Sequence, residues 1–361
     1  MATTKIITDV TDLNAASSTN GLKMPTGGAY SGTPTDGMVR NDTTGSSQGS
    51  ASTMQHYNGT EWKDYENFAS PVTIDYLVVA GGGGSGSNLA AGSGAGGLRT
   101  SYGTYRGGLQ PVESSLQFSS GTTYTITVGG GGAGTPTTSN LAGNNGVSSS
   151  ISGADISTIE STYGGRGASG GSSARPASNG GSGGGGGCPG AQGLAVTSPL
   201  VHGFNGGPAT STNNGNAGGG GAGGQGAGPA SGGFGLAGGL GLENQITGSS
   251  GVFYAGGGGG GSLNNQSPAP GGSGIGGVGG VCAGAPGYAI LSNATAGSPN
   301  TGSGGGGGAA ASGGGGAGGS GVVILRMPTS IYSGTTAGSP TVTTDGSDTI
   351  LIFTGSGSYT H

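Results

Sequence analysis

Charge is almost missing from the middle of this chain: between Pro176 and Leu325 the one charged side chain is Glu243. Over the whole sequence charged residues make up 6% and hydrophobic ones 30%, against roughly 25% and 45–50% in an ordinary soluble domain. A conventional core cannot be assembled from that supply. Intrinsic disorder is not the obvious alternative, because disordered chains combine few apolar residues with many charges and this one has only the first half of the pattern. The 9 Lys and Arg are outnumbered by 14 Asp and Glu, for a formal net charge of -5. No stripe of cations is available to neutralise a phosphate backbone or an anionic bilayer, so neither nucleic acid nor an anionic membrane surface is expected as a partner.

Long apolar runs are missing too. The longest, such as Tyr76 to Ala80 and Val322 to Leu325, fall far short of the roughly 20 residues that span a bilayer, and membrane insertion is not expected. The N-terminal residues Met1 to Asp9 carry neither the basic start nor the apolar stretch of a signal peptide. The two cysteines, Cys188 and Cys282, lack the spacing of a zinc site, which leaves two unpaired thiols or one disulfide and no expected metal or cofactor.

What the chain has instead is 97 Gly and 16 Pro. Oligo-Gly tracts stand at 81–84, 129–132, 183–187, 218–221, 256–261, 304–308 and 313–316. Each Gly in a helix interior costs about 1 kcal/mol relative to Ala, and no 3.6-residue apolar period accompanies the tracts, so almost no α-helix is expected. Collagen is excluded because Gly does not recur at every third position. The conformation that remains is a packed array of polyproline-II-like segments. Their N–H and C=O groups point outward and must be paired when buried, and Gly lets neighbouring backbones come close enough to do so. Ordering costs roughly 1–2 kcal/mol per residue, and a hydrogen bond returns about 0.5–1.5, so such a lattice needs small apolar cores and association with other copies to hold. Leu194, Phe204, Phe234, Leu236, Leu240 and Leu242, interspersed among the tracts, set the region apart from a Gly/Ser linker.

Composition divides the chain into an N-terminal module over 1–70, a Gly-rich domain over 71–327 and a C-terminal β element over 328–361. In the first, Asn58-Gly59 between short runs of β-formers predicts a hairpin, with Gly37 to Asn41 as a third strand. In the second, Tyr76–Ala80, Tyr124–Val128 and Val252–Ala255 each lead directly into Gly, and Val322–Leu325 follows a tract. In the third, Asp345-Gly346 predicts a hairpin turn. The expected fold is therefore mostly irregular and β, with the Gly-rich segments flanked by small β elements.

Catalytic motifs dissolve on inspection. Gly221 to Gly226 satisfies G-x-G-x-x-G by composition alone, without the flanking strand and helix of a dinucleotide site. Ser169 and Ser182 sit in G-x-S-x-G, but a nucleophile elbow needs a sheet-to-helix turn with a positioned His and acid. Carboxylates for glycan cleavage could come only from the scattered Asp75, Glu113, Asp155 and Glu160. No Asp recurs with the tracts as calcium-binding repeats require. The chain is not expected to be an enzyme.

The anchors around the tracts, Asp75–Gly84, Gly121–Gly129, Ile246–Gly257 and Gly318–Pro328, with the ending Phe353–Tyr359, resemble the Gly-rich tail-fibre and adhesin proteins of marine bacteriophages. Thr33–Asn41 and His56–Trp62 are similar to the short hairpin module near tail-fibre attachment ends. The resemblance implies a virion protein at the distal tail fibre, released by host lysis, often a homo-oligomer and most often a trimer. It implies polyglycine-II helices packed as a sandwich, loops that bind a bacterial surface receptor (a glycan or an outer-membrane protein), and contacts to other tail proteins through residues 1–70. The alternative is a structural Gly-rich filament or decoration protein without receptor specificity. Gly tracts have no side chains with which to read a partner, so recognition is expected in the connecting stretches Leu194–Phe204, Ser262–Pro270 and Gly287–Asn293. Within them His202, Phe204, Asn264, Asn265, Gln266 and Tyr288 are the expected contact residues, aromatics offering rigid faces and amides adaptable hydrogen bonds. The other reading of these positions is that Phe204 and Tyr288 fill small core pockets and the Asn residues end turns.

Overall fold

A computed structural model describes residues 71–361 apart from 137–140, 171–174, 188–189, 210–215, 230–232, 285–286 and 311–312; before residue 71 it describes 39–42, 53–57, 60 and 62–64. The chain divides into two compact units, Met1–Ser70 and Pro71–His361. In the first, Val39–Asp42, Thr53–Tyr57 and Trp62–Asp64 form an antiparallel three-stranded sheet in which Tyr57 pairs with Trp62 across the hairpin. Asn58 and Gly59 themselves lie outside the described residues.

The second unit is built on two antiparallel sheets. One has the order Thr341–Asp345, Asp348–Phe353, Val322–Pro328, Val72–Val79, Leu98–Thr100, with Leu116–Phe118 paired to the first half of Val72–Val79. The other has the order Ile156–Ser161, Ser149–Gly153, Thr123–Thr127, Gly357–Thr360, Thr335–Ala337. Successive side chains of a strand point to opposite faces, and Val72–Val79 uses both. Ile74, Tyr76 and Val78 face the second sheet and meet Tyr124, Ile126, Ile151 and Tyr359. Leu77 and Val79 face the other way and pack with Ile246, Tyr254 and Ala222 from the Gly-rich segments. The longest apolar runs of the sequence, Tyr76 to Ala80 and Val322 to Leu325, thus fall on strands covered on both faces.

The residues after 328, expected as a separate closing element, are instead members of both sheets. Asp348–Phe353 pairs with Val323–Pro328, and Gly357–Thr360 lies beside Thr123–Thr127. Leu351 and Phe353 point to one face and Ile350 to the other. A free hairpin could cover one of those faces at most; insertion in a sheet buries both.

Among the described residues there is no α-helix; Thr329–Ile331 is a single turn of 3₁₀-helix, and Gly107–Leu109 and Gly272–Gly274 are tight turns with positive φ at Gly108 and Ser273. The rest is short strand and irregular backbone, and its hydrogen bonding follows a rule. Along the segment from Ala90 to Gly97, the amides of Ala90, Ser93 and Gly96 donate to the carbonyls of Gly308, Gly305 and Gly302. Those of Ala91, Gly94 and Gly97 donate to Ala168, Gly165 and Thr162, and those of Gly92 and Ala95 to Ala217 and Gly220. The same neighbour is met again at every third residue, two neighbours running antiparallel and one parallel. Carbonyls of the segment accept from three further segments: Ser93 from Gly258, Gly92 from Gly185, and Gly94 from Gly83. A buried segment thus has six neighbours, all joined to it through backbone, and its polar groups are paired although it has almost no side chains. The spacing forbids a Cβ at the crossings: on Gly92 it would stand 1.9 Å from the carbonyl oxygen of Gly258.

Candidate recognition surface at the far end of the Gly-rich segments

Strand Val72–Val79 leads into the Gly-rich segment that begins at Ala80, and the return segment re-enters the sheet at Leu98. The chain reverses between them at Asn88 and Leu89, both with positive φ, 58° and 54°. Hydrogen-bond register fixes what lies at that far level. Leu89 N–H donates to Ala309 O at 3.3 Å, Gly170 N–H to Asn88 O at 3.1 Å and Gly261 N–H to Ala90 O at 2.9 Å. Here Leu263, Cys282, Ala309 and Ala310 form a small buried cluster, flanked by Leu89 and Ile290.

Over this cluster lie two stretches expected to carry recognition. Leu263 N–H donates to Gly233 O at 2.7 Å, Asn265 N–H to Cys282 O at 3.1 Å, and Gln266 N–H to Leu263 O at 3.1 Å. Asn264 and Asn265 take left-handed backbone, φ 56° and 61°, as Asn does more readily than most residues. Both side chains are exposed and that of Gln266 is half-buried. Tyr288 is 39% exposed with φ 42°, and beside it Ala283 N–H bonds Ala289 O at 2.8 Å.

The other two expected contact residues lie elsewhere. His202 O accepts from Leu98 N–H at 3.1 Å, which places it where the lattice meets the sheet, and Phe204, half-buried, bonds Gly221 and Gly183 through its backbone in the same region. His202 is only 3% exposed, so a partner cannot reach it, and its place in the expected set is corrected. It is an interior group: Nδ1 accepts from Thr162 N–H at 3.3 Å. Burial, with the positive charge of Arg99 as the next cause, lowers its pKa to about 4.

Residues not anticipated from sequence hold this junction together. Arg99 forms a two-pronged pair with Glu113, Nε to Oε1 at 3.0 Å and Nη2 to Oε2, and its Nη1 donates to Glu160 O at 3.2 Å. Arg106 lies 3.9 Å from Glu113 and donates to Val201 O, tying the sheet to the loop that carries His202. On the middle strand Val322–Pro328, Arg326 binds Asp348 at 2.8 Å, Asp345 at 2.9 Å and Ile246 O at 3.1 Å, and stacks over Tyr102. Only their position on β-like segments, in a chain nearly without charge, could have marked these arginines out.

The residues weighed for catalysis are structural in their surroundings. Ser169 and Ser182 are buried among Gly-rich segments. Asp75 accepts from Ser101 at 2.8 Å and Ser115 at 2.6 Å, and Asp155 from Tyr124 at 2.7 Å. Among the described residues no group of His, Cys, Asp or Glu is arranged to hold a metal ion, and no helix is long and apolar enough to cross a membrane. Cys282 is a buried free thiol; Cys188 lies outside the described residues.

An antiparallel two-sheet scaffold continued by backbone-paired glycine segments defines a glycine-rich domain. The chain belongs to the glycine-rich domain family, which matches it over residues 60–328. No curated protein and no solved structure is significantly similar to it.

Proposed function

We propose that this chain is a phage tail-fibre adhesin whose Gly-rich segments are polyglycine-II helices and whose far-end turns bind a receptor on the host bacterial surface. The return to the same neighbour at every third residue supports the helical reading, since a polyproline-II-type helix has three residues per turn and no internal hydrogen bonds. The observation that carries the functional reading is the contrast between interior and far end. The interior segments spend their polar groups on one another, while Asn264, Asn265 and Tyr288 stand exposed on backbone pinned to its neighbours. A rigid scaffold that presents variable side chains at connecting turns is the usual construction of a binding surface. In this reading the protein is a homotrimer on the virion tail fibre, residues 1–70 join it to other tail proteins, and it is not an enzyme.

The test exchanges Ser262–Pro270 and Gly287–Asn293 for Gly/Ser stretches and measures adsorption of the purified full-length protein to host cells. Loss of adsorption by folded variants is expected. Unchanged adsorption would move recognition elsewhere, and no adsorption by the parent protein would leave a structural filament.

A further inference from the structure

The far end carries more than the stretches singled out by sequence. Gly233, whose carbonyl accepts from Leu263 N–H, brings Phe234 to this level; Phe234 is 47% exposed, and Asn216 N–H bonds its carbonyl at 3.2 Å. Asn264 lies between the two aromatic-bearing segments. A Cβ on Gly233 would be 3.4 Å from its Nδ2, and one on Gly284 would be 2.9 Å from its Oδ1. Among the described residues the side-chain amides of Asn264, Asn265 and Gln266 have no hydrogen-bond partner. The end therefore presents adjacent amides, without a partner among the described residues, on fixed backbone, with an exposed aromatic ring on the segment to either side.

We infer that this surface binds a neutral glycan, a choice of ligand that rests on the adhesin reading above. Three features select it. A primary amide has an acceptor oxygen and two donor hydrogens, which suits vicinal hydroxyls that both donate and accept. Aromatic rings offer a flat apolar face to the C–H side of a pyranose with little entropy to lose. The third feature is charge: these segments lie within the span in which Glu243 is the only ionised side chain, and Glu243 is on another segment, paired with Phe253 next to the sheet core and bonded to Gln245 and Gly251. A phosphorylated or uronic-acid polymer would find no cation on these turns themselves, and a basic peptide no carboxylate; the exposed Arg175 of the far level stands on another turn, bridged to Ser169 next to the Gly170 that bonds Asn88 O. The left-handed backbone also matters, because it fixes the two amides on a short turn that neighbouring segments hold from both sides.

The full-length protein is applied to an array of neutral, acidic and phosphorylated oligosaccharides, and to a panel of marine Gram-negative cells before and after mild periodate oxidation or protease treatment. Asn264→Gly, Asn265→Gly, Tyr288→Gly and Phe234→Ser are compared with the parent; the three glycine variants keep the left-handed backbone, so they remove side chains without straining the fold. The expected result is binding to neutral glycans, loss of cell binding after periodate but not after protease, and at least about tenfold weaker binding for each variant with circular dichroism unchanged. Cell binding that survives periodate and is lost on protease treatment would overturn the glycan and leave the adhesin with a protein receptor. Preference for acidic or phosphorylated glycans, or variants that bind neutral glycans as the parent does, would also overturn the inference. Absence of binding to any cell of the panel would overturn both readings.

Discussion

A methyl group on Gly129 would stand 1.9 Å from the carbonyl oxygen of Val147, whereas one on Gly130, the next residue, would meet nothing within 4 Å. One tract therefore holds both glycines the packing demands and glycines it does not. Gly129→Ala should cost about 3 kcal/mol or more, since backbone rather than a movable side chain must give way. Gly130→Ala should be neutral or stabilise by about 0.4–1 kcal/mol, because Ala restricts the unfolded chain and the native site has room. Urea unfolding of the two variants checks this; equal effects would mean the segments are not packed in this register.

The Arg99–Glu113 pair is nearly buried, with side chains 11% and 15% exposed. Removing one partner strands the other charge away from water, and breaking such a pair typically costs about 3–5 kcal/mol. Glu113→Ala should fall in that range. The double replacement Arg99→Met with Glu113→Leu should recover most of the loss, less what Arg99 contributes through Glu160 O. Equilibrium unfolding of the single and double variants measures the coupling; a Glu113→Ala cost below about 1 kcal/mol would show the pair to be solvated.

How far these features could be read in advance follows from what encodes them. Val72–Val79 and Val322–Pro328 were legible because their side chains are apolar in a chain poor in such residues. The lack of α-helix among the described residues was legible from Gly. Which segment neighbours which was not: the pairing of Ala90 with Gly308 and Gly96 with Gly302 is made by backbone, and backbone is the same at every glycine. The candidate site divides the same way. Asn264, Asn265 and Tyr288 sit in stretches whose composition marked them as turns. His202 sits in a stretch that looked equivalent, but pairing to Leu98 and Thr162, distant in sequence, draws it inside.

That burial gives His202 a pH signature. Its folded pKa of about 4 lies below the unfolded value of 6.5, so the unfolded chain takes up a proton first as pH falls. Stability from this site is complete above pH 6.5 and is lost as the pH drops through 4. The loss amounts to at most about 3 kcal/mol, at 1.36 kcal/mol per pH unit of separation. The measurement is unfolding free energy from pH 7 to pH 4 for the parent and for His202→Gln. The parent should lose stability across this window and the variant should be flatter; parallel curves would place a neutral imidazole elsewhere.

Cys282 reports on the far end itself. Its thiol is fully buried, 3.7 Å from Ser262 O, in the cluster beneath the Leu263–Gln266 turn, and burial pushes its pKa up. Thiolate is the reactive form, so both access and ionisation protect it. In a Cys188→Ser background, a disulfide-exchange reagent at pH 8 should leave the native protein unlabelled over minutes and label one thiol at once in denaturant. Slow native labelling can then proceed only through opening of the turn, and its rate measures how firmly the turn is held. Asn265→Pro, which abolishes the N–H bonded to Cys282 O and forbids positive φ, should raise that rate by at least about tenfold. The same substitution should leave urea unfolding of the two-sheet scaffold little changed, since the hydrogen bond joins the turn to Cys282, whose strand pairs with Ile290–Ser292 and belongs to neither of the two sheets. Rapid labelling of the parent would mean that the turn is open in solution and that its amides are not held in place.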